Sequence, residues 1–267
     1  MVATIHIAQK ILNNISIIKS HNMKEQSISF PLTNAEFLKV ISNSFFRFLQ
    51  KGTSRSTDKL KPLHGAIARD LHRRLGSDYE IISQGYGVDK EAQIQGRYIE
   101  KWVDITVTKR RKAVAGLAVK FVMQNYSQNS NNYFENMLGE TANIRANKCP
   151  YFQIFIILDR LPYYKKDTNK SIQKWETFTE HNAEKYVVLS KDNVDVFFHT
   201  PNKTLIYVVH IPDNARLSNQ SDYMDYYRNL DFSITVSKDK FDTMESAVVL
   251  NDYETFIDKV YHTIMAQ

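Results

Sequence analysis

Two apolar runs joined by a short basic turn set the strongest limit on what this chain can fold into. Trp102-Val103-Asp104-Ile105-Thr106-Val107 and Ala115-Gly116-Leu117-Ala118-Val119-Lys120-Phe121-Val122 are of strand length, and Lys109-Arg110-Arg111-Lys112 lies between them. The pattern predicts neighbouring strands of a sheet. Each strand carries one charge, Asp104 in the first and Lys120 sixteen residues later in the second. Burying a carboxylate or an ammonium is costly unless something binds it. A divalent cation and a phosphate would engage both: the carboxylate holds the metal, and the lysine steadies an attacking water or the phosphoryl oxygens. An edge-strand salt bridge is the other reading of the pair.

The flanking sequence extends the sheet into a mixed α/β (α+β) fold. Apolar residues recur at helical spacing over residues 4–19. A second helix follows from Thr33-Asn34-Ala35-Glu36, a capping-box pattern, through Phe37, Val40, Ile41, Phe45, Phe48 and Leu49 to Gly52. A polar, basic loop (52–57) leads to a helix near 60–75 with Leu63, Ile67, Leu71 and Leu75 on one face. The period then changes. Strands are expected at 79–83, 96–108 and 113–123, then a polar stretch from Gln124 to Asn132, a helix near 132–146 and a strand at 151–158. Beyond Pro162 the pattern loosens into a short helix at 181–186, strands at 194–199 and 204–211, and a polar, Tyr-rich segment. Asn251-Asp252-Tyr253-Glu254 opens a last helix. One domain over 1–267 is expected: a helical N-terminal part (1–55), a mixed-sheet core (56–162) and a β-rich C-terminal elaboration (163–267).

Fifteen Tyr, fifteen Phe and a hydrophobic content of 43% exclude a disordered chain. No apolar run reaches membrane-spanning length, the first residues do not follow a secretory pattern, and a single cysteine, Cys149, suits a reducing compartment. A cytoplasmic protein is therefore expected. The net charge of +6 favours a polyanionic partner. Its cations cluster at Lys51–Lys61, at Arg69, Arg73 and Arg74, and at Lys109–Lys112, around the two strands. Nucleic acid is the partner this distribution suggests.

Phosphodiester hydrolysis calls for two or three carboxylates converging on a metal with a cation beside them. Asp104 and Lys120 supply one of each. Two residues before Lys120, on the same strand face, a second acid is expected, and Ala118 stands there. Glu135 is the nearest replacement, on a stripe of the following helix with Gly139 and Ala142; Glu140 is the next. Asp70, Glu80 and Glu91 are further acids of this part of the chain, each read as a surface charge or ion pair. For DNA contact, the amides of Asn125, Gln128 and Asn131 suit bidentate bonds to adenine, and Arg55, Lys109, Arg110, Arg111 and Arg145 suit phosphates or bases.

Residues 60–158 resemble the PD-(D/E)XK nuclease superfamily, in a context most similar to type II restriction endonucleases. Its core is helix, three strands, helix, strand, with the aspartate on the second strand and (D/E)-x-K on the third; Asp104 and Lys120 match, while Val103 replaces the proline and Ala118 the acid. The resemblance implies a restriction-endonuclease-like core, Mg²⁺ held by Asp104 and Glu135, catalysis with Lys120, double-stranded DNA as substrate, a homodimer, and a bacterial setting. Ala118 has three explanations: the acid moved to the next helix, activity was lost, or a glutamate was replaced deliberately. Two rivals remain open: a DNA-binding module without cleavage, and an interaction protein with a structural Asp104–Lys120 pair.

Overall fold

The structure, a computed structural model, describes residues 26–51, 57–214 and 216–267. The helix expected over 4–19 and the loop carrying Arg55 lie outside the described residues. The expected mixed α/β architecture is present, as a seven-stranded mixed sheet with six helices around it.

Helix α1 (Asn34–Lys51) starts where Thr33 Oγ1 accepts the Glu36 N–H at 3.2 Å, and it buries its Phe37–Leu49 stripe. A 3₁₀ turn (Thr57–Lys59) leads to α2 (Lys61–Leu75), which has Pro62 in its first turn and ends at Gly76, φ +79°. The chain continues through β1 (Tyr79–Ser83), β2 (Ala92–Gln95), β3 (Glu100–Val103), β4 (Ile105–Lys109), β5 (Lys112–Val122), α3 (Tyr126–Arg145) and β6 (Tyr151–Leu158). After these come β7 (Arg160–Tyr164), β8 (Ile172–Thr177), α4 (Glu180–Ser190), β9 (Lys203–His210), α5 (Gln220–Asn229), β10 (Thr235–Val236), β11 (Val248–Leu250) and α6 (Tyr253–Met265).

The sheet order is β1-β4-β5-β6-β9, with β10 and β11 sharing the outer edge of β9. Strands β1, β4 and β5 are antiparallel, whereas β5, β6 and β9 are parallel and need crossovers, which α3 and then the β7–β8–α4 segment provide. Every residue of β6 is buried, as a central strand covered on both faces requires. Phe155 meets Tyr126 of α3 and Tyr186 of α4 on one face. On the other face Tyr207 meets Phe37 of α1, which stacks on Tyr253 of α6 at 4.2 Å. At the outer edge, β11 pairs with residues 204–206 and β10 with 209–210. Between them the Val208 N–H donates to Asn251 Oδ1 (2.7 Å) and its carbonyl accepts the Ser237 N–H (2.9 Å).

Four expectations are corrected. The polar stretch 124–132 is mostly helix, because Tyr126 is buried at its start and holds those turns on the sheet. The expected strand 96–108 is two strands, β3 and β4, broken at Asp104, and β3 pairs with β2 as a separate ribbon. Residues 194–199 form turns instead of a strand, for a reason given below. The C-terminal part carries, besides the two expected helices α4 and α6, a third, α5, which lies within the Tyr-rich segment and buries Tyr223 and Tyr227.

Candidate active site

The position of Asp104 follows from where a strand ladder ends. Pairing of β4 with β5 reaches Ile105–Leu117 and goes no further. One residue earlier, Asp104 Oδ2 accepts the N–H of Val119 at 2.7 Å, supplying the partner that the ladder lacks. The Asp104 carbonyl accepts the Ser83 hydroxyl at 2.8 Å. Burial pushes the Asp104 carboxyl up to about 6; the Val119 N–H opposes that rise, the Glu140 charge adds to it, and Lys120 counters it.

Ala118 and Lys120 share a face of β5, and the parallel register sets Gln153 beside Ala118 and Phe155 beside Lys120. Helix α3 crosses the same face. Together they enclose a cavity of about 330 Å³ whose lining includes Asp104, Ala118, Lys120, Tyr133, Glu140 and Gln153. Lys120 Nζ lies 4.4 Å from the centre of the Tyr133 ring, a cation–π contact. Burial lowers the Lys120 pKa, while Asp104 and Glu140 resist the change. Lys59, just before α2, is pushed down to about 8 by burial first and by the Lys120 charge second. Glu91 is raised by burial and by the nearby charge of Asp104.

Of the two helix glutamates, Glu140 lines the cavity and Glu135 does not. Glu135 is exposed, and the charge it acts on is Lys185 of α4. Five helical residues separate the two, a turn of about 140° around the axis at 3.6 residues per turn. Gly139, expected to let the helix lie close to the sheet, accordingly faces open space. Glu140 Oε1 accepts Lys101 Nζ from β3 at 2.7 Å.

The β2–β3 ribbon leads directly into Asp104, and α3 holds it in place. Asn143 Oδ1 accepts the N–H groups of Tyr98 (2.9 Å) and Ile99 (3.3 Å), and its Nδ2 donates to the Ile99 carbonyl (2.8 Å). Gly96 passes so near that a Cβ there would stand 2.0 Å from Asn143 Nδ2. Ile94 and Val103 pack beneath the ribbon with Ile144, Cys149 and Tyr151. One helix therefore carries Glu140 and also fixes the segment that delivers Asp104.

The remaining sequence candidates lie elsewhere. Arg145 is buried, and its guanidinium donates to the carbonyls of Val194, Phe197 (2.8 Å) and Thr200; these bonds hold 194–200 as turns. Asn125 begins α3 with φ +53°, and its Oδ1 accepts the Tyr164 N–H at 2.7 Å. Gln128 and Asn131 are exposed on α3, and Asn131 lines a groove against α4. Lys109 Nζ donates to the Tyr79 hydroxyl at 3.1 Å. Arg110 and Arg111 are exposed at the tip of a two-residue turn, both at positive φ as the twist of such hairpins demands. That tip lies nine to ten residues from Lys120, about 30 Å along the strand. Asp70 is wholly buried and structural, accepting from Leu32 N–H, the Tyr253 hydroxyl and Arg74. Glu80 is exposed on β1. Cys149 is buried, and burial raises its thiol to about 11.

Sequence reasoning did not single out Gln153 as a site residue. The signal was present: it is the one polar side chain besides the Tyr151 hydroxyl in Tyr151–Leu158.

These features define a mixed α/β protein with a carboxylate–lysine cavity where two strands part. No family model, curated protein or solved structure matches the chain. Among the described residues no three His, Cys, Asp or Glu side chains group as a ready metal cage.

Proposed function

We propose that this protein is a Mg²⁺-dependent endonuclease of double-stranded DNA, of the type II restriction kind, with Asp104, Glu140 and Lys120 in its active site. The observation that carries the reading is the meeting of these three side chains around one cavity of about 330 Å³. The order of elements supports it as well. Helix α2, strands β1, β4 and β5, helix α3 and strand β6 follow the helix, three strands, helix, strand sequence of the PD-(D/E)XK resemblance, with the β2–β3 ribbon inserted. Glu140 takes the role that the sequence suggested for Glu135.

Mg²⁺ is held by one or two carboxylates, with water and substrate phosphate completing its shell, so a cage of three protein acids is not required. Asp104 and Glu140 supply that donor set. The raised pKa of Asp104 marks a carboxylate whose charge Lys120 alone does not balance. When bound, the ion would neutralise phosphate charge and make a bound water more acidic. Lys120 sets an ammonium against the phosphoryl oxygens, and the Val119 N–H fixes the orientation of Asp104. Hydrolysis joins the water oxygen to phosphorus and breaks one P–O bond to deoxyribose. One water proton ends on the released hydroxyl, and the other leaves to solvent from the new phosphate. Cutting both strands of a palindrome needs two such sites related by a two-fold axis, hence a homodimer.

The test is cleavage of mixed plasmid and phage DNA with Mg²⁺ or Mn²⁺, comparing the parent with Glu140→Gln, Glu135→Gln and Ala118→Glu. Discrete fragments from the parent and from Glu135→Gln, absent with Glu140→Gln, are the expected result. Ala118 favours a second reading, a DNA-binding protein that does not cut. That reading predicts an inert parent with salt-dependent DNA affinity, and cleavage gained in Ala118→Glu. A parent that neither cuts nor binds DNA at low salt removes both readings.

A further inference from the structure

The sharpest unexplained feature of the cavity is an amide with nothing to bind. Gln153 is 6% exposed and lines the cavity, and among the described residues its Nε2 finds no hydrogen-bond partner. Buried N–H donors are nearly always paired, and leaving one unpaired is costly. The parallel register puts Gln153 next to Ala118, whose methyl group cannot accept a hydrogen bond. Asp104 and Glu140 line the same cavity, but their carboxylates are bonded to Val119 N–H and Lys101, not to this amide.

Building on the nuclease reading, we propose that Gln153 binds the scissile phosphate, its Nε2 donating to a non-bridging oxygen while Lys120 engages the same group from β5. An unpaired donor calls for an acceptor, and among the described residues no group in the cavity wall is bonded to it. A ligand that carries acceptor oxygens into the cavity would supply that acceptor. A phosphodiester suits the place because it brings acceptor oxygens and negative charge together, and Lys120 stands two register positions along, on the same face. The absence of an acid at Ala118 belongs to the same arrangement: a carboxylate beside Gln153 would accept from Nε2 and take that donor away from the substrate. Gln153 thus has its role when the anion is bound.

Two measurements decide this. In the full chain labelled with ¹⁵N-glutamine, the side-chain resonance that disappears in Gln153→Leu is followed while thymidine 3′,5′-bisphosphate is added to about 20 mM, enough to populate a millimolar site. A shift is expected; an unmoved resonance overturns the proposal whatever the chain does to DNA. The second measurement compares Gln153→Leu with the parent in melting and in cleavage. Removing an unsatisfied donor should raise the melting temperature by about 2 to 4 °C. Removing a phosphate contact should lower kcat about 10- to 100-fold with little change in KM. An unchanged kcat in a cutting parent refutes the phosphate role and leaves the nuclease reading intact. If the parent does not cut but the resonance moves, Gln153 is an anion ligand and the hydrolytic reading fails.

Discussion

Replacing Asp104 with asparagine should make the protein more stable at neutral pH while abolishing the proposed DNA cleavage. The folded carboxyl holds its proton up to about 6, whereas its ordinary value is 3.8. Between those values the folded state binds more protons than the unfolded chain. The contribution of Asp104 to stability is therefore fullest below about pH 3.8 and is lost as the pH rises through 6. At about 1.4 kcal/mol per pH unit the full cost of ionising it is about 3 kcal/mol. Solvent reaching the open cavity trims this to about 1–2 kcal/mol. Asparagine keeps an oxygen for the Val119 N–H and carries no charge. At 2–4 °C per kcal/mol, Asp104→Asn should melt about 2 to 8 °C higher than the parent at pH 8 and match it near pH 4. The assay is a set of paired melts across that range, so that every other titrating group cancels. Mg²⁺ at ten times its dissociation constant should then stabilise the parent by about 1.4 kcal/mol and the variant far less. Equal melting at pH 8, with equal responses to Mg²⁺, would refute the reasoning.

Other outcomes follow from the same geometry. Glu140→Gln should abolish cleavage and weaken Mg²⁺ binding, while Glu135→Gln retains both within about threefold; a titration of metal by calorimetry separates them. Gly96→Ala forces a methyl into Asn143 and should cost about 2–3 kcal/mol, seen in urea melts; with Asn143→Ala, which itself removes three bonds to the ribbon, the double variant should lose less than the sum of the two single losses. Arg145→Ala strands three carbonyls and should destabilise the fold by about 2–4 kcal/mol, yet leave the salt dependence of DNA binding unchanged. A shallower salt slope in that variant would return Arg145 to the DNA-contacting set.

Much of the sheet core was legible because its signals are local. The Asp104 and Lys120 strands, the all-apolar run at 151–158, the Thr33 cap and the Asp252 cap each declare themselves within a few residues, and the caps are seen in their hydrogen bonds. The errors arose where long-range contacts decide. Gln124–Asn132 has the composition of a loop and becomes helix because buried Tyr126 and half-buried Tyr133 seat it on the sheet. Residues 194–199 alternate like a strand but are folded into turns by Arg145, about fifty positions away. The choice between Glu135 and Glu140 turns on the rotation of α3, which its weakly amphipathic sequence does not reveal. Asn143 and Gly96, which fix that rotation against the ribbon, are not recognisable as partners from spacing alone.

The closure of β9 bears on how copies of this chain can meet. An open strand edge is a template on which another chain can add a strand. Here β11 and β10 take the two ends of that edge, and Asn251 and Ser237 engage the amide and carbonyl of Val208 between them. Among the described residues β9 itself has no free ladder there, and the new edge consists of β10 and β11, two and three residues long. A second copy adding a strand here would meet only these short segments, so a contact on this side is set more by surface shape than by backbone register.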